Sequence, residues 1–215
     1  MRNPYIIGAF VTGREFYGRE ELLATLLEYG ARAHWLVGNQ CIGKTSLLRQ
    51  LEFLASRKGR LIPLYLDLQG CHSYEDLGCT LAEVVRDHPD RFSPLGLPPS
   101  LADEEDALTL LAQLRRMAAR TGRELLLLCD ETEALLDIAA EEPAAMQRLH
   151  RLLTAGAGVR TVMVSTRRIY RFYDVCRDWL TSPFLSGFDM SSMLGSMSAP
   201  DARSLIIQSH APRGG

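Results

Sequence analysis

The sequence lacks the features of several protein classes. Its five cysteines include no CxxC pair, so we expect neither a zinc site nor a disulfide framework, and a reducing cytoplasm fits best. No apolar run approaches the length needed to cross a bilayer, and the first residues carry no apolar signal core. The formal net charge of −2 gives no overall electrostatic reason to expect nucleic acid or an anionic membrane as a partner. We therefore expect a cytoplasmic protein that does not bind membranes.

The chain does contain enough apolar residues to bury a full core. Hydrophobic residues make up 47% of its 215 positions and charged residues 23%, close to the averages of globular domains. Apolar runs alternate with segments of helical periodicity, which predicts a parallel sheet covered by helices on both faces. The predicted strands are residues 34–37, 60–68, 124–129 and 160–165; the predicted helices are 19–29, 45–57, 74–87, 104–120, 143–153 and 200–209.

Prolines refine two of these assignments. Pro63 lies inside the second predicted strand, and because proline cannot donate to a β-ladder, it favours a place at the edge of the sheet. Four prolines between residues 88 and 100 predict a loop. Residues 169–197 are rich in aromatic residues, serine and methionine, and their pattern predicts no particular element.

A phosphate-binding motif follows the first predicted strand. The segment fits G-x-x-x-x-G-K-[ST] in full, with a strand before it and a helix after it. In such a loop, backbone N–H groups surround phosphate oxygens, glycines permit the close approach, and the positive end of the next helix points at the same charges. We expect ATP to bind here, through Gly38, Asn39, Gln40, Cys41, Ile42, Gly43, Lys44, Thr45 and Ser46.

Two side chains of this loop have specific expected roles. Lys44 should reach the β- and γ-phosphates, and the Thr45 hydroxyl should ligate Mg²⁺. The alternative is a chance match in a glycine-containing turn, which the agreement of strand, motif and helix disfavours. Cys41 is either a redox handle or a filler at a permissive position, and the filler is favoured.

Two acids end the third predicted strand. The run Leu125-Leu126-Leu127-Leu128-Cys129 leads into Asp130 and Glu131, the arrangement of a Walker B motif. Asp130 can hold Mg²⁺ through water, and Glu131 can orient the attacking water, which would distinguish a hydrolytic ATPase from many nucleotide kinases and GTPases. The alternative is that Asp130 caps the next helix while Glu131 and Glu133 are solvated.

Polar residues also end the fourth predicted strand, at Ser165, Thr166 and Arg167. If this strand lies between the other two, its tip faces the γ-phosphate, and Thr166 or Arg167 can distinguish triphosphate from diphosphate. The alternative is that Arg167 and Arg168 are two solvated arginines on a loop.

These motifs stand in the order of a known family. Phe16-Tyr17-Gly18-Arg19-Glu20-Glu21-Leu22-Leu23 resembles the box F-x-G-R-[ED]-x-x-[IL] that opens AAA+-related ATPases of the STAND type, the archaeal ATPase group and the origin-recognition initiators. Ser165-Thr166-Arg167 resembles their sensor 1. Residues 193–207, with Ser198, Asp201-Ala202 and Leu205-Ile206, resemble the opening of their helical lid. No sensor 2 arginine can be assigned.

The resemblance implies a three-layer α/β/α sandwich with a mostly parallel five-stranded sheet, of the P-loop NTPase type with an additional strand and a catalytic Glu. It further implies an ATPase core over residues 1–190 and the beginning of a truncated helical lid over 191–215. It places Phe16, Tyr17 and Arg19 on the adenine side, although an aromatic residue here is equally expected in the core. The absence of a guanine-reading N-K-x-D segment agrees with adenine.

Three functions remain open from the sequence. The first is a STAND-type signalling ATPase with Mg²⁺, in which bound nucleotide switches the protein toward self-association or a partner protein. The second is a DNA-acting ATPase, for which Arg115, Arg116, Arg120 and Arg123 are the local basic cluster, although such arginines are more often a solvated helix face. The third is a non-hydrolysing module that nucleotide stabilises.

Overall fold

The computed structural model describes residues 6, 8–29, 31–96, 106–154, 157–176, 184–190 and 193–207. Its strands are β1 (Ala33–Gly38), β2 (Leu61–Asp67), β3 (Glu124–Asp130), β4 (Val159–Ser165) and β5 (Met193–Leu194). Its helices are α1 (Glu20–Leu27), α2 (Lys44–Lys58), α3 (Tyr74–Asp87), α4 (Pro89–Phe92), α5 (Ala107–Arg120), α6 (Leu135–Glu141), α7 (Pro143–Leu153), α8 (Phe172–Val175) and α9 (Ala199–Ile206).

The described strands form one parallel sheet in the order β2-β3-β4-β1-β5. The strands β1 and β4 are buried throughout, as interior strands of a parallel sheet covered on both faces should be, although His34, Arg160, Thr161 and Ser165 are polar. Pro63 stands on β2 at the edge of this sheet, as its missing N–H predicts. The predicted fold class is confirmed: a five-stranded parallel sheet lies between two layers of helices.

Two apolar clusters hold the layers together, one on each face of the sheet. Alternate residues of a strand point to opposite faces, so Trp35 and Val37 enter one cluster while Leu36 enters the other. The first cluster joins the sheet to α3, α5, α6, α7 and α8, and the second joins it to α1 and α2.

The sequence predicts no element for residues 169–197, and the described residues of this segment supply part of the first cluster, around Trp35. The rings of Phe172, Phe184 and Phe188 meet the Trp35 indole edge-on, with centroids 5.7, 5.8 and 5.1 Å away. The indole N–H donates to Ser165 Oγ over 3.0 Å, so the largest buried side chain also has its polar atom paired.

Some sequence expectations need correction. The predicted loop at 88–100 is wrong where Pro89–Phe92 forms α4 and Ser93–Leu95 forms a 3-10 turn; a proline at the first helical position and the burial of Phe92 and Leu95 explain both. Residues 97–100, 104–105 and 208–209 of the predicted elements lie outside the described residues. Helices α6 and α8 and the two-residue strand β5 have no predicted counterpart.

The division of the chain after residue 190 stays a prediction. The structure puts Met193 and Leu194 in the sheet beside β1, and α9 follows them. Ser198 caps α9 by accepting from the Asp201 N–H, which matches the lid-like sequence pattern there.

Among the described residues, no helix combines the length and the apolar character needed to cross a membrane. The five cysteines all lie in the described residues and form no disulfide, and Cys41 is the exposed one that lies in the phosphate loop.

Candidate functional site

The carboxyl edge of the sheet gathers the polar segments that the sequence singles out. Strand β4 lies between β1 and β3, so the loops that follow these three strands are neighbours. Ligands of open parallel sheets bind at this edge. The sequence placed Thr166 and Arg167 near the γ-phosphate only if their strand lay between the strands of the phosphate loop and of the two acids. The position of β4 between β1 and β3 meets this condition.

The phosphate loop connects β1 to α2. Gly43 caps α2 with φ 88°, and Cys41 has φ 60°, a left-handed conformation that is uncommon for a residue with a side chain. Gly38 is needed for another reason: a Cβ there would lie 2.9 Å from Ile42 Cγ2 and 2.9 Å from Leu194 Cβ. Ile42 of the loop and Leu194 of β5 thus pack directly against the backbone of Gly38, and only a glycine at this position leaves room for both side chains.

Lys44 begins α2 and is almost fully buried, with 7% of its surface exposed. Its Nζ donates to the Asn39 carbonyl over 3.2 Å and to the Gly38 carbonyl over 3.5 Å. The ammonium group is therefore held against the inner side of the loop. Asn39 and Gln40 are exposed, and Ile42 packs partly against the second apolar cluster.

Side chains of the first turns of α2 hold the N-terminal segment. Ser46 Oγ accepts from the Val11 N–H over 3.3 Å, and Gln50 Oε1 accepts from the Gly13 N–H over 2.7 Å. Ser46 thus has a structural contact in addition to its place in the motif. Thr45, the expected Mg²⁺ ligand, is half-buried.

Arg19 reaches the phosphate loop from the segment before α1. Its guanidinium donates to the carbonyls of Ile42 over 2.7 Å, Gly43 over 3.5 Å and Gly195 over 3.3 Å. Burial lowers its pKa, and the nearby Asp201 carboxylate opposes that shift. Arg19 therefore ties the loop to the segment that follows β5.

The other adenine-side candidates, Phe16 and Tyr17, are both buried. Phe16 belongs to the second apolar cluster and is therefore a core residue. Contact of either ring with adenine stays a prediction.

Asp130 ends β3 and is buried, with 2% of its surface exposed. Both carboxylate oxygens accept hydrogen bonds, Oδ2 from the Tyr65 hydroxyl over 3.1 Å and Oδ1 from the Glu131 N–H over 3.0 Å. Burial first, and then the Asp130 charge, raise the pKa of Tyr65, so its phenol stays protonated and remains a donor.

Glu131 follows in a left-handed conformation, with φ 49°, and its side chain is exposed. Its pKa is raised above the ordinary value by partial burial and then by the neighbouring carboxylates Glu133 and Asp130, while Lys44 opposes the shift. The charge of Lys44 thus favours the carboxylate form of Glu131, whereas burial and the neighbouring acids disfavour it.

The tip of β4 is joined to the turn after β3. Glu133 accepts hydrogen bonds from both the backbone N–H and the hydroxyl of Thr166, and the Thr132 hydroxyl donates to the Val164 carbonyl over 2.9 Å. Arg167 is exposed and begins a 3-10 turn, Arg167–Arg171. The structure thus brings Thr166 into the acid turn and leaves Arg167 on the surface beside it.

Sequence reasoning missed three residues of this edge. Asp67 ends β2 in register with Asp130, and an acid at the carboxyl end of a parallel strand was an available signal. Tyr65 and Glu133 gave no usable signal, because a tyrosine in an apolar strand is typical of a core and a glutamate after a strand is typical of a solvated turn.

The residues present fit a polyphosphate with Mg²⁺. Lys44 supplies a buried positive charge beside the loop, and Asp130 and Thr45 are oxygen donors of the kind Mg²⁺ prefers. In the part of the chain that the structure describes, no three acidic, histidine or cysteine side chains form a metal cluster. Mg²⁺ is commonly held by one or two carboxylates together with substrate phosphates and water.

Solved structures share this fold. The Walker-type ATPase of Pyrococcus abyssi superposes with a TM-score of 0.71 over 94% of this chain at 14% identity. The ORC2 protein of Aeropyrum pernix, solved in ADPNP–ADP complexes, gives 0.58 over 88% at 18% identity, and the ORC1 protein of the same organism, solved with DNA, gives 0.50 over 90% at 19%. The chain spans 60%, 49% and 48% of these three proteins.

No curated protein matches the chain. The sequence model of the family described as Novel STAND NTPase 1 matches residues 11–214, nearly the whole chain. This match agrees with the phosphate loop, the strand order and the acids at the carboxyl edge. The chain therefore belongs to the novel STAND NTPase 1 family and is a P-loop NTPase.

Proposed function

We propose that this protein binds ATP with Mg²⁺ and hydrolyses its β-γ phosphoanhydride, and that the bound nucleotide switches the protein between conformations. The observation that carries the proposal is that the buried Lys44 and the Asp130–Glu131 pair both lie at the carboxyl edge of one parallel sheet. A binding module needs the loop alone, whereas Glu131 adds a carboxylate in the position expected of a group that activates water.

Each residue has a defined task in this proposal. The N–H groups of the loop and Lys44 bind the phosphates, and Thr45 and Asp130 hold Mg²⁺, which neutralises charge on the β- and γ-oxygens. Glu131 orients the attacking water and accepts its proton, which requires the carboxylate form. Thr166, at the tip of β4, contacts the γ-phosphate.

The contacts of Arg19 support a switch. Arg19 joins the phosphate loop to Gly195, and Asp201 of α9 packs so closely on Gly18 that a Cβ there would lie 2.6 Å from Asp201 Cγ. A nucleotide that displaces the loop therefore acts directly on the position of α9. A ligand changes such an equilibrium only by its differential affinity for the two states, so ATP and ADP must differ in this contact. We propose that α9 controls the exposure of a surface, and that this surface mediates self-association or the binding of a partner protein.

The test is steady-state ATP hydrolysis and ATP binding by the wild type, Glu131→Gln and a control, Glu141→Gln, on the exposed end of α6. Glu131→Gln should bind ATP normally but lose turnover by a factor of about 10²–10⁴, the usual contribution of a general base. Glu141→Gln should behave as the wild type. Binding of ATP without turnover by the wild type would refute the hydrolysis proposal and leave a nucleotide-binding switch.

One observation favours a DNA-acting ATPase as the second candidate. Arg116, Arg148 and Arg151 surround a groove of about 380 Å³ between α5 and α7, and a basic groove attracts phosphates. This candidate predicts DNA binding whose affinity falls steeply as the salt concentration rises. The double variant Arg148→Ala/Arg151→Ala should bind DNA more weakly than the wild type. Affinity that does not depend on salt, or an absence of binding at low salt, would contradict it.

A further inference from the structure

The Asp130 carboxylate is held from two sides. Its Oδ1 accepts from a backbone N–H of its own turn, that of Glu131, over 3.0 Å. Its Oδ2 accepts over 3.1 Å from the Tyr65 hydroxyl on the neighbouring strand β2. A carboxylate with a donor on each oxygen cannot rotate about its Cβ–Cγ bond without losing a hydrogen bond, so its plane is defined before any ligand arrives.

Tyr65 is itself fixed by a chain of charged side chains. The Arg49 guanidinium of α2 lies over the Tyr65 ring, 3.4 Å from its centroid. Arg49 donates to Glu52 over 2.8 Å, and the other Glu52 oxygen accepts from Arg91 over 2.9 Å. Arg91 also donates to the Pro63 carbonyl on β2 over 3.0 Å. The phenol is thereby clamped between its strand and α2, and its hydroxyl is aimed at Asp130.

We propose that Tyr65 is a positioning residue that orients the Asp130 carboxylate for Mg²⁺, with Arg49 holding the tyrosine ring in place. The inference rests on the proposed function, because it concerns Mg²⁺ that accompanies bound ATP. Partners that orient a metal ligand preorganise it and raise the affinity for the metal; their removal typically costs about 10- to 100-fold in metal affinity or activity. Tyr65 would therefore tune the Mg²⁺ affinity of the ATP complex without touching metal or nucleotide.

A structural role alone gives a different expectation. If the hydroxyl only satisfies the buried Asp130 oxygen, its loss lowers stability, since an unpaired buried acceptor costs about 1–3 kcal/mol, but leaves the Mg²⁺ affinity of the ATP complex unchanged. The Mg²⁺ dependence of ATP binding, measured at equilibrium and without turnover, separates these two roles.

The experiment titrates Mg²⁺ into the protein with a fluorescent ATP analogue and compares each result with a titration in EDTA. Tyr65→Phe should raise the Mg²⁺ concentration for half-maximal effect by about 10- to 100-fold and leave binding in EDTA unchanged. Tyr74→Phe is the matched control, because Tyr74 also donates its hydroxyl to a carboxylate, that of Asp106 at the start of α5, over 3.4 Å. It should leave the Mg²⁺ titration unchanged.

A double-mutant cycle keeps the test independent of folding defects. In an Asp130→Asn background, adding Tyr65→Phe should change the Mg²⁺ titration no further, because the positioned group is already gone. An equal effect in both backgrounds, or a wild-type Mg²⁺ titration for Tyr65→Phe, would overturn the inference while leaving ATP binding intact. A wild type that binds no ATP analogue would instead contradict the proposed function, and the inference would fall with it.

Discussion

Replacement of Gly38 by alanine tests how the phosphate loop is built into the core. Gly38 does not have a positive φ, so alanine is allowed by the backbone and any effect must come from contacts. The added methyl group would lie 2.9 Å from Ile42 Cγ2, 2.9 Å from Leu194 Cβ and 3.2 Å from the Leu194 carbonyl oxygen. Either the loop or β5 must move to admit it.

The size of the effect follows from this overlap. An extra methyl in a packed site costs about 1–3 kcal/mol of unfolding free energy. For a domain of this length each kcal/mol corresponds to about 2–4 °C, so Gly38→Ala should lower the Tm by roughly 2–12 °C. Thermal and urea unfolding of the ligand-free protein measure the change directly.

Gly195→Ala is the matched control for this measurement. Gly195 also lacks a positive φ, and a Cβ there meets no atom within 4 Å, so the substitution should change stability by less than about 0.5 kcal/mol. Equal Tm values for Gly38→Ala and Gly195→Ala would refute the close packing of the loop on β5.

Three further predictions concern the acid turn and the elements around it. Turnover should fall as the pH falls through the pKa of Glu131, which burial and then Glu133 and Asp130 raise, since only the carboxylate accepts a proton. Glu133→Gln removes one of these like charges and should move the acid limb of kcat/KM to lower pH, and an unmoved limb would mean that Glu133 does not contribute to the shift. Asp106→Ala should cost about 1 kcal/mol in urea unfolding, because the side chain caps α5 by accepting from the Thr109 N–H, and a neutral result would mean that the cap contributes nothing. Thr132→Val should cost about 1–3 kcal/mol in the same assay by leaving a buried carbonyl of β4 without its donor, whereas unchanged stability would argue against this bond.

The elements that the sequence predicted well are those whose residue types are dictated by local physics. The interior strands are mostly apolar because helices cover both faces of the sheet. Helices α3 and α7 have the predicted bounds because each carries a strong helical period and a clear start signal. The phosphate loop is equally local: glycines, lysine and hydroxyl follow each other in one segment.

The remaining features depend on contacts between distant segments. Strand β5 has two residues, too few for any periodicity, and exists because Gly38 lets Leu194 approach β1. Phe172, Phe184 and Phe188 pack around Trp35, which precedes them by more than a hundred residues. Tyr65 and Asp130 are 65 residues apart, so their hydrogen bond has no signature in the sequence.

Equilibrium binding of ATP with Mg²⁺ to Lys44→Ala tests the central claim most directly. The two lysines of the chain both lie on α2, so Lys58→Ala, at the exposed end of that helix, is the control. Loss of a hydrogen bond to a charged group costs about 1.5–3 kcal/mol, so Lys44→Ala should bind ATP about 10- to 150-fold more weakly than the wild type, and Lys58→Ala should bind it equally well. Wild-type affinity in Lys44→Ala, or no ATP binding by the wild type, would contradict the account.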